Sequence, residues 1–199
     1  MGDHAVMQTM PAPPERIELL AVDAVVRRHR LDDLDALQQA IEESRDHLRP
    51  WMFWADQSRD DTAAFLRHAI EKWDTGEEFA YLIVSADGDR VLGGGGLHRR
   101  SGPGALEIGY WLRADATGRG VITTAAGALT DAAFALDGIE RVEIHCDEAN
   151  VRSAAVPPRL GYTLTAIREK PPVAPSERGR EMVWSRFRDA PIQIASTNG

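Results

Sequence analysis

Hydrophobic and polar residues change rhythm sharply around the middle of the chain. Leu106, Ile108, Tyr110 and Leu112 alternate with Glu107, Gly109 and Trp111, the period of a strand. From Val121 the apolar spacing lengthens to three or four, through Thr124, Ala125, Ala128, Leu129, Ala132, Ala133 and Leu136, the stripe of a helix. Thr117-Gly118-Arg119-Gly120 lies between the two. Glycines let main-chain amides approach a ligand closely, and the first amides of a helix lack intrahelical acceptors. A strand–Gly-x-Gly–helix junction of this kind is an anion site, and a pyrophosphate suits it.

The same reading predicts the other elements. Val22–Arg28 is a first strand, and Asp32 or Asp33 caps a helix carrying Leu34, Leu37 and Ile41. Ser58 and Asp61 form the start of a second helix, with Phe65, Leu66, Ala69, Ile70 and Trp73 on its apolar face and Gly76 at its end. Strands follow at Phe79–Ser85 and Arg90–Arg99, joined at Asp87-Gly88. The four glycines Gly93 to Gly96 mark a bulge or a close approach within the second of these. After the alanine-rich helix come a strand at Arg141–Cys146, a short helix broken at Pro157-Pro158, and strands at Thr163–Ile167 and Glu181–Phe187. The order βααβββαβαββ predicts one mixed α/β domain over residues 16–189, between flexible arms at 1–15 and 190–199.

Composition narrows the classes of function. The 199 residues suffice for one core. A net charge of −8 argues against binding a phosphate backbone and suits a cationic substrate. Cys146 is the single cysteine, which excludes an intrachain disulfide and a cysteine-built zinc cage, and no metal site is expected. No apolar run approaches a membrane span and no signal-peptide pattern opens the chain, so a cytoplasmic protein without membrane or nucleic-acid partners is expected.

Three motifs occur in a fixed order. They are Leu48-Arg49-Pro50-Trp51-Met52-Phe53-Trp54; Glu107-Ile108-Gly109-Tyr110-Trp111-Leu112 with Thr117-Gly118-Arg119-Gly120; and Asn150-Val151-Arg152-Ser153 with Arg159-Leu160-Gly161-Tyr162. In these the chain resembles the general N-acetyltransferase (GNAT) superfamily, in its RimJ/RimL-like branch, from about Val22 to Phe187. The resemblance implies a mostly antiparallel seven-stranded sheet with about four helices, splayed between its fourth and fifth strands around acetyl-CoA or another acyl-CoA. It implies pantetheine contacts from the main chain of Trp111, Leu112 and Arg113. It places the pyrophosphate on the amides of Gly118, Arg119, Gly120, Val121, Ile122 and Thr123, with Asn150 beside the cofactor. Ser153 then lies near the departing thiolate, and Glu107 is a candidate base. The chain departs from the family's Gln/Arg-x-x-Gly-x-Gly/Ala pattern, carrying Thr117 at the first position and Ile122 at the last. A branched side chain at Ile122 either leans into the phosphate site or joins the core.

The chemistry expected is direct acyl transfer to a primary amine in a ternary complex. An α-amine costs only ~1–1.5 kcal/mol to deprotonate at pH 7, against ~4–5 kcal/mol for a lysine side chain. Ser153 either donates to the leaving sulfur or caps the short helix after Asn150. Trp51 and Trp54, with His98 and His145, are candidate acceptor-binding side chains, and the two histidines are further candidates for the base. Large rigid aromatics around a cleft favour a small-molecule amine. A protein N-terminus, as in ribosomal-protein acetylation, is the alternative acceptor. A binding protein that keeps the fold without efficient CoA use is the alternative function. Gly118-x-Gly120 also invites a dinucleotide-binding reading, which Thr123 in place of the third glycine opposes. A homodimer is expected by analogy with the family.

Overall fold

The structure, a computed structural model, describes residues 12–188. Residues 1–11 of the expected N-terminal arm and all of the expected arm at 190–199 lie outside them. Pro14 and Glu15, placed in the arm by sequence, are tied to the sheet: Tyr81 Oη donates to the Pro14 carbonyl at 2.9 Å and Arg28 N to that of Glu15 at 2.7 Å.

One eight-stranded sheet organises the chain, comprising β1 (Arg16–Leu19), β2 (Ala24–Arg28), β3 (Glu78–Ser85), β4 (Val91–His98), β5 (Ala105–Leu112), β6 (Arg141–Asp147), β7 (Thr163–Glu169) and β8 (Arg180–Phe187). The order is β1-β2-β3-β4-β5-β6-β8-β7, and among the described residues only β5 and β6 pair in parallel. The strand beyond the seven expected is β1, whose four residues are too short a run for alternation to announce. Val22 belongs to a 3-10 turn that joins β1 to β2, so β2 starts two residues later than predicted.

Among the described residues five α-helical segments accompany the sheet: α1 (Leu34–Glu43), α2 (Arg45–Leu48), α3 (Arg59–Asp74), α4 (Val121–Phe134) and α5 (Val151–Ala154). The capping box at α3 is as predicted, with Asp61 N donating to Ser58 Oγ at 3.2 Å and Ser58 N to the Asp61 carboxylate at 3.0 Å. At α1 the expected cap is absent. Asp33 turns its carboxylate back to Arg30 N and to the Arg27 guanidinium, which holds it better than a helix amide would.

Two apolar clusters follow from strand alternation. Leu106, Ile108 and Leu112 of β5 pack with Ala125, Leu129 and Ala133 of α4. Val25, Leu82 and Val84 on the other face meet Leu37 and Ile41 of α1 and Leu66 of α3. The glycine run of β4 lies opposite Gly109–Leu112. A Cβ on Gly94 would meet the Trp111 indole at 2.6 Å, and one on Gly96 the His98 ring at 2.9 Å. These glycines are therefore the floor on which two large side chains lie.

Candidate active site

The sheet opens where its two parallel strands part. Register between β5 and β6 runs from Ala105–Arg141 to Ile108–Ile144 and stops, although β5 continues to Leu112 and β6 to Asp147. Into this split runs a cavity of about 710 Å³. Trp51 and Met52 line one side, Tyr110 to Leu112 the floor, Gly118 and Gly120 to Thr123 one end, and Asn150 to Ser153 the opposite wall.

The strand's alternation decides which main-chain groups face the gap. Arg113 N donates to the Leu92 carbonyl of the β4 side at 2.8 Å, so Trp111 and Arg113 turn their polar groups toward β4. Leu112 faces the gap. Of the three residues expected to pair with a pantetheine, only Leu112 has its main chain so directed. Trp111 lines the cavity, with its indole lying over Gly94 and against Trp54, while Arg113 is buried between Asp115 and Glu43 and does not line it.

At the head of α4, Gly118 and Gly120 have φ of 76° and 79°, a left-handed conformation that side chains resist. The helical ladder begins with Thr124 N donating to the Gly120 carbonyl, which leaves the amides of Val121, Ile122 and Thr123 without helical acceptors. Among the described residues nothing accepts from Gly118, Arg119 or Gly120 N either. Thr117, at the family's Gln/Arg position, spends its hydroxyl on the Ala114 carbonyl at 2.8 Å. Ile122 both lines the cavity and packs, partly buried, against the core. The Arg119 side chain is exposed and does not line the cavity.

Opposite, Asn150 caps α5 by accepting from Ser153 N at 3.1 Å. Ser153 is thus not the cap, and its hydroxyl is not spent on the helix end. It lies 3.2 Å from the Tyr110 hydroxyl. Tyr110 carries a signal in its strand alternation that reads as core, and sequence reasoning assigned it no role. Cys146, beside this corner, is buried, and burial pushes its thiol up to about 11, as for an inert core cysteine.

Glu107 is not on the cavity wall. Its carboxylate is buried and takes two hydrogen bonds from Arg100, at 2.8 and 2.5 Å. Burial raises its pKa, but Arg100 and His145 together bring it below the ordinary carboxylate value, which makes it a weaker base. His145 sits among acids, with Nε2 2.8 Å from Glu143 and Nδ1 3.5 Å from Glu107 and 3.7 Å from Glu181. His98 lies over Gly96 beside Glu78, and burial lowers its pKa. Neither histidine lines the cavity.

The aromatic motif divides. Trp51 lines the cavity, Phe53 is 75% exposed, and Trp54 packs inward on Trp111. The loop is stapled by Arg49 to Asp56 at 3.0 and 2.6 Å, and Pro50 O accepts from Ser176 N at 2.9 Å. Asp147, missed by sequence, anchors that second segment: one carboxylate oxygen accepts from Arg178 N and Gly179 N, both at 2.9 Å.

A sheet split between neighbouring parallel strands, with a helix head of acceptor-free amides at one end of the split, is the architecture of an acyl-carrier N-acyltransferase. The model of the acetyltransferase (GNAT) domain matches residues 24–163, and the chain belongs to that family of N-acetyltransferases. A relative described as "Putative ribosomal N-acetyltransferase YdaF" of Bacillus subtilis (strain 168) is 31% identical over 137 residues, covering 65% of this chain and 72% of that protein. Among solved structures, the ribosomal L7/L12 α-N-protein acetyltransferase RimL in complex with coenzyme A has a TM-score of 0.76 at 22% identity, covering 85% of this chain and 96% of that one. The microcin C7 self-immunity acetyltransferase MccE, in complex with acetyl-CoA and AMP, has a TM-score of 0.76 at 20% identity, covering 83% and 92%. Among the described residues no helix is long and apolar enough to cross a membrane.

Proposed function

We propose that the chain transfers an acetyl group from acetyl-CoA to the α-amine of a peptide or protein N-terminus. The carrying observation is the run of six acceptor-free amides, Gly118 to Thr123, at the end of a cavity that follows the sheet's split. Two left-handed glycines turn these amides outward, so the donor set fits a pyrophosphate. Leu112 would receive the pantetheine arm in the manner of an added strand. The acetyl thioester supplies the electrophilic carbon.

The protein's own part is placement and charge stabilisation. Ser153 donates its O–H toward the sulfur as negative charge develops there, and Asn150 fixes the turn that carries it. The α-amine loses its proton to water, since at ~1–1.5 kcal/mol deprotonation needs no strong base. Glu107, held by Arg100 and lying off the cavity wall with His145 beside it, is not needed as the base in this reading.

Acceptor class follows from the aromatic loop and the relatives. With Phe53 in solvent and Trp54 turned onto Trp111, the loop does not close an aromatic box around a small amine. The named activities of RimL and of the Bacillus relative point the same way. Trp51 on the cavity wall favours the second reading, a small-molecule amine. Thiol release with acetyl-CoA, measured against peptides bearing free and blocked N-termini and against a panel of small amines, decides between them. Turnover dependent on a free peptide α-amine supports the proposal. Turnover with small amines alone transfers it to the second reading, and absence of acetyl-CoA binding by calorimetry sinks both.

A further inference from the structure

The hydroxyl of Tyr110 lies 3.2 Å from both the carbonyl oxygen and Oγ of Ser153, across the gap between β5 and α5 and 43 residues away in sequence. A phenol has one proton. A carbonyl can only accept, and in the arrangement that satisfies both contacts the phenol proton goes to the Ser153 carbonyl. The contact with Oγ is then made in the other sense, with Ser153 donating to the phenol oxygen. Every polar group of Ser153 is consequently held. Its N–H is given to Asn150, its carbonyl accepts from Tyr110 and from Val156 N at 3.1 Å, and its hydroxyl rests on Tyr110. Burial pushes the Tyr110 phenol well above its ordinary value, so it keeps its proton at any working pH.

We propose that Tyr110 is the positioning residue for Ser153, parking the serine proton on its own oxygen until charge appears on the departing sulfur and then donating to Ser153 Oγ. This rests on the role given to Ser153 above. The exchange is a rotation of two hydroxyls and transfers no proton between them. Ser153 Oγ–H turns from the phenol oxygen to the sulfur, and Tyr110 Oη–H turns from the Ser153 carbonyl to Ser153 Oγ. That carbonyl keeps the Val156 amide, so it is not left unpaired. Tyr110 thus orients the serine and, in the second arrangement, makes it a better donor, since a hydroxyl that accepts a hydrogen bond donates more strongly.

Two measurements on Tyr110→Phe, Ser153→Ala and the double variant test this. The first is a pH titration of the thiol of bound CoA, followed by thiolate absorbance in the ultraviolet. It reports the Ser153 donor without turnover. Wild type should hold the bound thiol's pKa below that of free CoA, and both single variants should lose that depression. The second is the split of kinetic constants. Tyr110→Phe should lower kcat about tenfold with KM for acetyl-CoA within about twofold, and the double variant should be no worse than Ser153→Ala. If Ser153→Ala leaves thiol and kcat unchanged, the role of Ser153 fails. If Ser153→Ala moves both and Tyr110→Phe moves neither, or the two losses multiply, the inference about Tyr110 is overturned and that of Ser153 stands. Fluorotyrosine at position 110 serves where the phenylalanine variant does not fold. By making the phenol a stronger donor it should depress the bound thiol's pKa further, and an unchanged or raised pKa refutes the proposal.

Discussion

The Trp54 indole stands edge-on to that of Trp111, with ring centroids 5.7 Å apart and planes at 73°. The pair ties the loop after α2 to the far end of β5, and Gly94 leaves the space that the Trp111 ring occupies. An aromatic that sequence assigned to the acceptor thus serves to fix the cavity's floor. Trp54→Ala should lower stability by about 2–3 kcal/mol, since it removes both packing area and the edge-to-face contact. Urea denaturation measures this, and a loss within ~0.5 kcal/mol, as for an ordinary surface substitution, would contradict the packing role.

The phosphate site proposed at the head of α4 makes a second prediction. Gly120 has open space around it, with the nearest atom to an added Cβ at 3.7 Å, so its requirement for glycine comes from φ alone. Gly120→Ala should strain the turn by ~1–2 kcal/mol. If the turn relaxes to relieve this, its amides leave their common focus and CoA should bind about tenfold more weakly. Calorimetry on wild type and variant tells; unchanged affinity would place the phosphates elsewhere.

The Arg100–Glu107 pair gives a dependence on pH. Glu107 in the fold titrates below its unfolded value, so its contribution to stability is present above the ordinary carboxylate range and disappears as pH falls through the folded value. Arg100 is 56% exposed, which discounts the pair's strength. Arg100→Gln should therefore cost about 1–2 kcal/mol at pH 7, with the difference from wild type shrinking from about pH 5 downward. Denaturation midpoints at a series of pH values check this. A difference constant down to acid pH would show that Arg100 acts by packing.

Much of the site was legible before any fold was known, because its parts are local. The strand before Gly118 and the helix after Gly120 are written in successive periods of the same stretch, and the left-handed glycines mark the turn between them. Asn150 and Ser153 are three apart, so a cap was readable there, although which of the two performs it was not. Residues that meet by crossing the sheet left no such trace. Asp147 reaches Gly179 over 32 residues, and nothing near Asp147 announces it.

The sequence alone determined the order of elements from β2 onward apart from the short α2, the split sheet expected through the family, and the Gly-x-Gly turn between β5 and α4, since each depends on neighbours along the chain. Only the tertiary structure decided that Glu107 faces Arg100 rather than the cavity, that Trp54 belongs to Trp111, and that Tyr110 holds Ser153. Alternation along a strand fixes which face a side chain takes, but what stands on that face is set by other strands and by how far β5 and β6 part.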